Sequence, residues 1–173
     1  MTQTPAQPTP VFRTGVLSVL IPVYNEKAYL RRCVERVLAV ELPRALQKEL
    51  IIVDDASADG TDRVIRALAE KNPDTVRAFR QPVNQGKGAA IRRAVAEMTG
   101  QYAVIQDGDL EYDPSDYVTL LQPLLDGSAD VVYGSRFAAR TSARLTRSSA
   151  ATSASICSRC PRSTTCSTGA SGS

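Results

Sequence analysis

Short apolar runs alternate with amphipathic stretches through the first 137 residues, and most of the apolar runs end in a cluster of polar or glycine residues. Residues 15–23 (GVLSVLIPV) read as a buried strand, and 27–40, with Leu30, Val34, Val37 and Leu38 at near-helical spacing, as an amphipathic helix. The pattern then repeats. A strand at 50–53 ends at Asp54-Asp55, a turn covers 56–60, and a helix covers 61–70. A strand at 76–80 leads to the glycine loop Asn84-Gln85-Gly86-Lys87-Gly88, followed by a helix to about Met98 with Gly100 as its stop. A strand at 102–106 precedes Asp113-Pro114, which supplies an N-cap and a proline at the first helical position for a helix to about Leu125. A last strand at 130–133 ends at Gly134-Ser135-Arg136. Such alternation predicts an α/β fold with a mostly parallel sheet flanked by helices. Ligands of such sheets bind beyond the carboxyl ends of the strands. Tyr24-Asn25-Glu26, Asp54-Asp55, Asp107-x-Asp109 and Arg136 all fall at those ends.

Charge divides the chain. The formal net charge is +3, yet all 18 acids lie at or before Asp130, so residues 1–137, with 16 Lys and Arg, carry −2. Residues 138–173 hold five arginines, no acid, no aromatic, and only Leu145 and Ile156 as large aliphatics, while 16 of their 36 residues are Ser or Thr. So little apolar side chain predicts a low-complexity, disordered tail. Three segments are therefore expected: a flexible polar segment at 1–14, a globular domain at 15–137, and the tail at 138–173. The abrupt change near Phe137 is expected to mark a truncated or out-of-frame end of a longer gene. Residues 1–10 lack a basic-plus-apolar signal pattern, so a cytoplasmic chain is expected. Histidine is absent, which excludes an imidazole base and any His-ligated metal. Cys157-x-x-Cys160 and Cys166 make a poor zinc site without histidine or a core, and read as incidental thiols; Cys33 reads as a helix core residue.

The chemistry concentrates in Val104-Ile105-Gln106-Asp107-Gly108-Asp109-Leu110-Glu111. An apolar run ends in alternating carboxylates, and Asp107, Asp109 and Glu111 would share one side if the extension continues. Such a set suits a hard divalent cation, since Mg²⁺ is usually held by one or two carboxylates together with substrate phosphates. A solvated acidic turn is the plainer reading of this segment taken alone.

Taken together, residues 18–26 (SVLIPVYNE), 51–61 (IIVDDASADGT), the Asn84–Gly88 loop, Asp107-Gly108-Asp109-Leu110-Glu111 and Gly134-Ser135-Arg136 resemble family 2 glycosyltransferases of GT-A fold. The likeness is closest to the dolichyl-phosphate mannose synthase and polyprenyl-phosphate glycosyltransferase branch. It covers roughly residues 16–137, and the tail has no counterpart in it. The resemblance implies a GT-A (Rossmann-like) sheet and a nucleotide-sugar site built from several motifs. Pro22, Tyr24 and Glu26 would line the base and ribose pocket, with Val53 beside them. Asp55 would hydrogen-bond the base. Lys87, in a loop whose backbone N–H groups favour anions, and Arg136, after the last strand, would meet phosphate. Asp107 would contact the nucleotide across Gly108, and Asp109 the metal, Mg²⁺ or Mn²⁺, with Glu111 a weaker ligand. Asp54 reads instead as a strand-ending turn residue and Asp59 as a helix cap. No catalytic base is assigned.

The function implied is inverting, metal-dependent transfer of a hexose from a nucleoside diphosphate sugar to a polyprenyl phosphate at a membrane surface. Both GDP and UDP donors remain open. An anionic acceptor needs no strong protein base, which agrees with the missing histidine. Two alternatives stand beside it: transfer to a sugar or lipid hydroxyl, and a noncatalytic nucleotide-sugar-binding remnant. The tail arginines, without interleaved aromatics, do not read as a specific nucleic-acid site.

Overall fold

The apolar runs become strands in a computed structural model that describes residues 13–110, 112–133 and 155–158. The strands are β1 (Arg13–Val23), β2 (Gln47–Asp54), β3 (Val76–Arg80), β4 (Gly100–Ile105), β5 (Val131–Tyr133) and β6 (Ser155–Ser158). The helices are α1 (Leu30–Ala39), α2 (Thr61–Lys71), α3 (Lys87–Glu97) and α4 (Tyr117–Leu125). One sheet runs in the order β3-β2-β1-β4-β6-β5. The pairs β1·β2, β1·β4 and β2·β3 are parallel, and β6 lies antiparallel between β4 and β5.

Side-chain alternation assigns the two faces of the sheet. Leu17, Val19, Ile21 and Val23 of β1, with Leu50 and Ile52 of β2, pack against apolar residues of α1, α2 and α4. The opposite parity, Leu20, Ile51 and Val53, packs with Ala90, Ala94 and Met98 of α3 and the residue just beyond it. Helices on both faces follow from right-handed crossovers that run outward from β1 in opposite directions. The order reverses between β1 and β4, which makes their carboxyl ends the switch point of the sheet.

Three features depart from the sequence reading. Gly100 is not the stop of α3. That helix ends at Glu97 with Met98 as its cap, and Gly100 opens β4, where an added Cβ would lie 2.6 Å from the Ser18 hydroxyl and 2.7 Å from the Val16 carbonyl oxygen. The Gly100 N–H also donates to Ser18 Oγ at 2.9 Å and to buried Glu49 Oε1 at 3.0 Å. Close approach, not left-handed backbone, requires the glycine. Second, residues 155–158 of the expected tail form β6, with Ile156 in register between Val104 and Val132. A short strand there satisfies backbone groups that β4 and β5 would otherwise leave unpaired. The rest of 138–173 lies outside the described residues, as does most of the expected segment 1–14. Third, Asp113 caps a single 3-10 turn, Pro114–Asp116, before α4 begins; its carboxylate accepts from the Ser115 N–H at 3.0 Å.

Candidate nucleotide-sugar site

The switch point carries a cleft of about 180 Å³. From the end of β1 come Pro22, Val23, Tyr24 and Glu26, and from the end of β2 comes Asp55. Lys87 and Ala90 of α3 line it, as do Asp107, Gly108 and Asp109 beyond β4. Three residues at the same edge hold left-handed backbone. Asn25, Ala56 and Leu110, which follow β1, β2 and β4, have φ of 57°, 60° and 64°. Such conformations persist only where the surroundings hold them. Asn25 Oδ1 accepts from the Ala58 N–H at 2.9 Å, and the Asn25 N–H donates to Ser57 Oγ at 2.9 Å, so the loops after β1 and β2 are tied together.

Asp54 ends β2 as a turn residue: its Oδ1 accepts from the Ser57 N–H at 2.9 Å and its Oδ2 faces Arg80 Nη1 at 3.2 Å. Asp59 bonds the N–H and hydroxyl of Thr61 at the start of α2, at 2.9 and 2.6 Å, and also takes the Lys27 N–H at 3.1 Å. Gly60, with φ 90°, is the cap residue itself.

Asp55 reaches the cleft but is committed elsewhere. Only 2% of it is exposed, and it accepts from Gln81 Nε2 at 2.8 Å, the Gln85 N–H at 2.9 Å and the Gly86 N–H at 2.7 Å. The glycine loop is therefore anchored on a carboxylate. Its amides at 85 and 86 point to Asp55 and are not a phosphate cradle, which corrects that part of the sequence reading. The cation of the loop does face the cleft. Lys87, first residue of α3, places Nζ 2.7 Å from Asp107 Oδ1.

Asp107, Gly108 and Asp109 lie past β4 in a turn, so the extended alternation does not continue and the carboxylates are placed by the turn. Glu26 faces them across the cleft. Burial pushes its carboxyl above the usual range, and the charges of Asp109, Asp59 and Asp107 push the same way. Beneath the turn, Cys33 is buried as the helix pattern implies. Burial raises its thiol to about 11, which keeps it a protonated donor, and Sγ lies 3.4 Å from the Asp107 carbonyl oxygen.

Of the residues expected at the site, Pro22, Tyr24, Glu26, Asp55, Lys87, Asp107, Gly108 and Asp109 are brought together. Val53 is not. It is fully buried on the α3 face of the sheet, one residue before the strand's polar end, and its parity turns it into the core. Arg136 and Glu111 lie outside the described residues. The sequence reading missed Val23 and Ala90. Ala90 stands one helical turn after Lys87, and a small residue there lets α3 close on the sheet.

Residues 18–165 match the family described as Glycosyl transferase family 2. The chain belongs to that family. The match extends past Phe137 to residue 165, so the tail has a counterpart over much of its length, contrary to expectation. This family 2 chain is 32% identical over 121 residues to a dolichol-phosphate mannosyltransferase of Pyrococcus furiosus, covering 70% of this chain and 33% of that protein. A protein of the same name from Saccharomyces cerevisiae is 34% identical over 122 residues, covering 70% and 45%. The chain thus spans between a third and a half of these relatives. A mannosyltransferase of Pyrobaculum calidifontis, solved with GDP-mannose and Mn²⁺, superposes with a TM-score of 0.59 at 26% identity, covering 72% of this chain and 38% of that one. The mostly parallel sheet flanked by helices is thus a GT-A glycosyltransferase fold.

Proposed function

We propose that this family 2 chain binds a nucleoside diphosphate sugar with a divalent cation and transfers the hexose, with inversion, to a polyprenyl phosphate. The carrying observation is the convergence of Asp107, Asp109, Glu26 and Lys87 on one cleft at the switch point. Among the described residues no three ligands close into a preformed metal cage. Two aspartates in an open turn fit Mg²⁺ or Mn²⁺, which take one or two carboxylates and complete their shell with phosphates and water. Burial raises the Glu26 carboxyl first, and the charges of Asp109, Asp59 and Asp107 add to it; a cation would relieve that added part. When bound, the metal would stabilise the charge that develops on the departing diphosphate.

The chain's own residues supply the rest. Asp109, with Asp107 beside it, holds the cation. Lys87 releases Asp107 to meet a phosphate instead. Tyr24, half exposed at the rim, and Pro22 offer a surface for base and ribose. A phosphate acceptor attacks the anomeric carbon as an anion, so no side chain needs to remove its proton. The names of the two dolichol-phosphate relatives support that acceptor class. No helix of the described residues is long and apolar enough to cross a membrane.

A second reading is donor binding without transfer: every described residue lining the cleft comes from the ends of β1, β2 and β4 or from α3, the elements that carry the expected donor motifs. The test is to incubate the chain with Mn²⁺, a polyprenyl phosphate and either GDP-mannose or UDP-glucose, and to look for glycosyl phosphoprenol by mass spectrometry. Its formation, and its loss in Asp109→Asn, is expected. Product only in a parallel incubation where a free sugar or a prenol replaces the polyprenyl phosphate contradicts the acceptor assignment. Nucleotide binding without any glycosylated product establishes the second reading.

A further inference from the structure

The face of β4 that packs against α1 and α4 is apolar until its end. Tyr102 and Val104 belong to that core, and the alternation carries the next position of the same parity, Gln106, to the same side, fully buried. A buried amide without partners costs about 1–3 kcal/mol, so packing alone would favour Leu or Val there. The amide is instead hydrogen-bonded at both its oxygen and its nitrogen. The Tyr117 hydroxyl, itself buried at the start of α4, donates to Gln106 Oε1 at 2.5 Å. Gln106 Nε2 donates to the carbonyl oxygen of Asp107 at 3.1 Å, and the Gln106 N–H donates to the Leu20 carbonyl of β1 at 2.9 Å. From α1, the Cys33 thiol reaches the same Asp107 carbonyl. That carbonyl belongs to the peptide between Asp107 and Gly108. Rotating the peptide would swing the two aspartates relative to each other, and Gly108 offers no side chain to resist it.

We propose that Gln106 is a positioning residue: braced by Tyr117, its amide holds the Asp107 carbonyl and thereby sets the relative placement of the Asp107 and Asp109 carboxylates. The role rests on the reading of those carboxylates as holders of a divalent cation with a nucleoside diphosphate. Partners that orient the groups around a metal commonly matter about 10–100-fold in metal affinity when removed.

Gln106→Met keeps the length of the side chain and removes both side-chain hydrogen bonds. Mn²⁺ affinity of the whole chain is read from the free-Mn²⁺ electron paramagnetic resonance signal in the presence of GDP and, in parallel, UDP. Nucleotide affinity in EDTA and thermal unfolding are measured beside it. Mn²⁺ affinity should fall about tenfold or more, in line with such orienting partners, while nucleotide affinity in EDTA stays unchanged. Tyr117→Phe, which keeps the Gln106–Asp107 bond, should give a smaller loss in the same direction. Unchanged Mn²⁺ affinity in a Gln106→Met protein, whatever its melting temperature, overturns the positioning role alone. Should that variant not fold, Tyr117→Phe carries the test, and unchanged Mn²⁺ affinity there overturns the role equally. A wild type whose nucleotide complexes do not bind Mn²⁺ overturns the reading of the carboxylates, and the role with it.

Discussion

Glu26 carries a conspicuous electrostatic tension. Burial and the charges of Asp109, Asp59 and Asp107 all raise its carboxyl above the ordinary value of 4.5. The native state therefore holds a proton on Glu26 at pH values where the unfolded chain has released it. Stability from this group falls as pH rises from about 4.5 through the native value, and the ionised form is a burden at neutral pH. Glu26→Gln should be more stable than the wild type at pH 7, by less than about 1 kcal/mol because the site is partly solvated. The difference should shrink toward zero as pH falls to 4.5. Urea unfolding of both proteins at several pH values checks this; a gap that widens toward acid would contradict the electrostatic account. The same carboxylate surplus is what a cation would neutralise, so relieving it should also weaken binding of a cation.

At the scale of elements, strand ends were legible and the contacts between loops were not. Apolar runs give the strands because buried backbone must be paired and buried side chains must be apolar, and both leave a mark in sequence. The polar groups after β1, β2 and β4 converge because parallel strands share a carboxyl edge. Val53 shows the limit of that inference, since a motif neighbour of Asp55 turns into the core by parity. The grip of Asp55 on Gln85 and Gly86, some 30 residues away, leaves no local pattern, and neither does a glutamine braced inside the core. Gly100 shows the same limit: a glycine after a helix resembles a stop, but its need comes from β1. Gly100→Ala should lower unfolding free energy by about 1–3 kcal/mol, as forced overpacking does, because the added carbon meets the Val16 carbonyl as well as a side chain. Denaturant unfolding measures it, and a neutral result would show that β4 shifts freely against β1.

For the molecule as a whole, the sheet order explains why one cleft gathers the chemistry. Reversal between β1 and β4 opens a crevice there, α3 brings Lys87 to its wall, and the turn after β4 supplies Asp107 and Asp109. The proposed activity depends on these carboxylates acting through a metal. Its most direct test is titration calorimetry of the chain with GDP and with UDP, in Mn²⁺ and in EDTA, alongside Asp109→Ala. The wild type should bind at least one of the two more tightly with Mn²⁺, and Asp109→Ala should lose that advantage, with urea unfolding beside it to show that the variant is folded. Equal affinity of the wild type in Mn²⁺ and in EDTA for both nucleotides would contradict it.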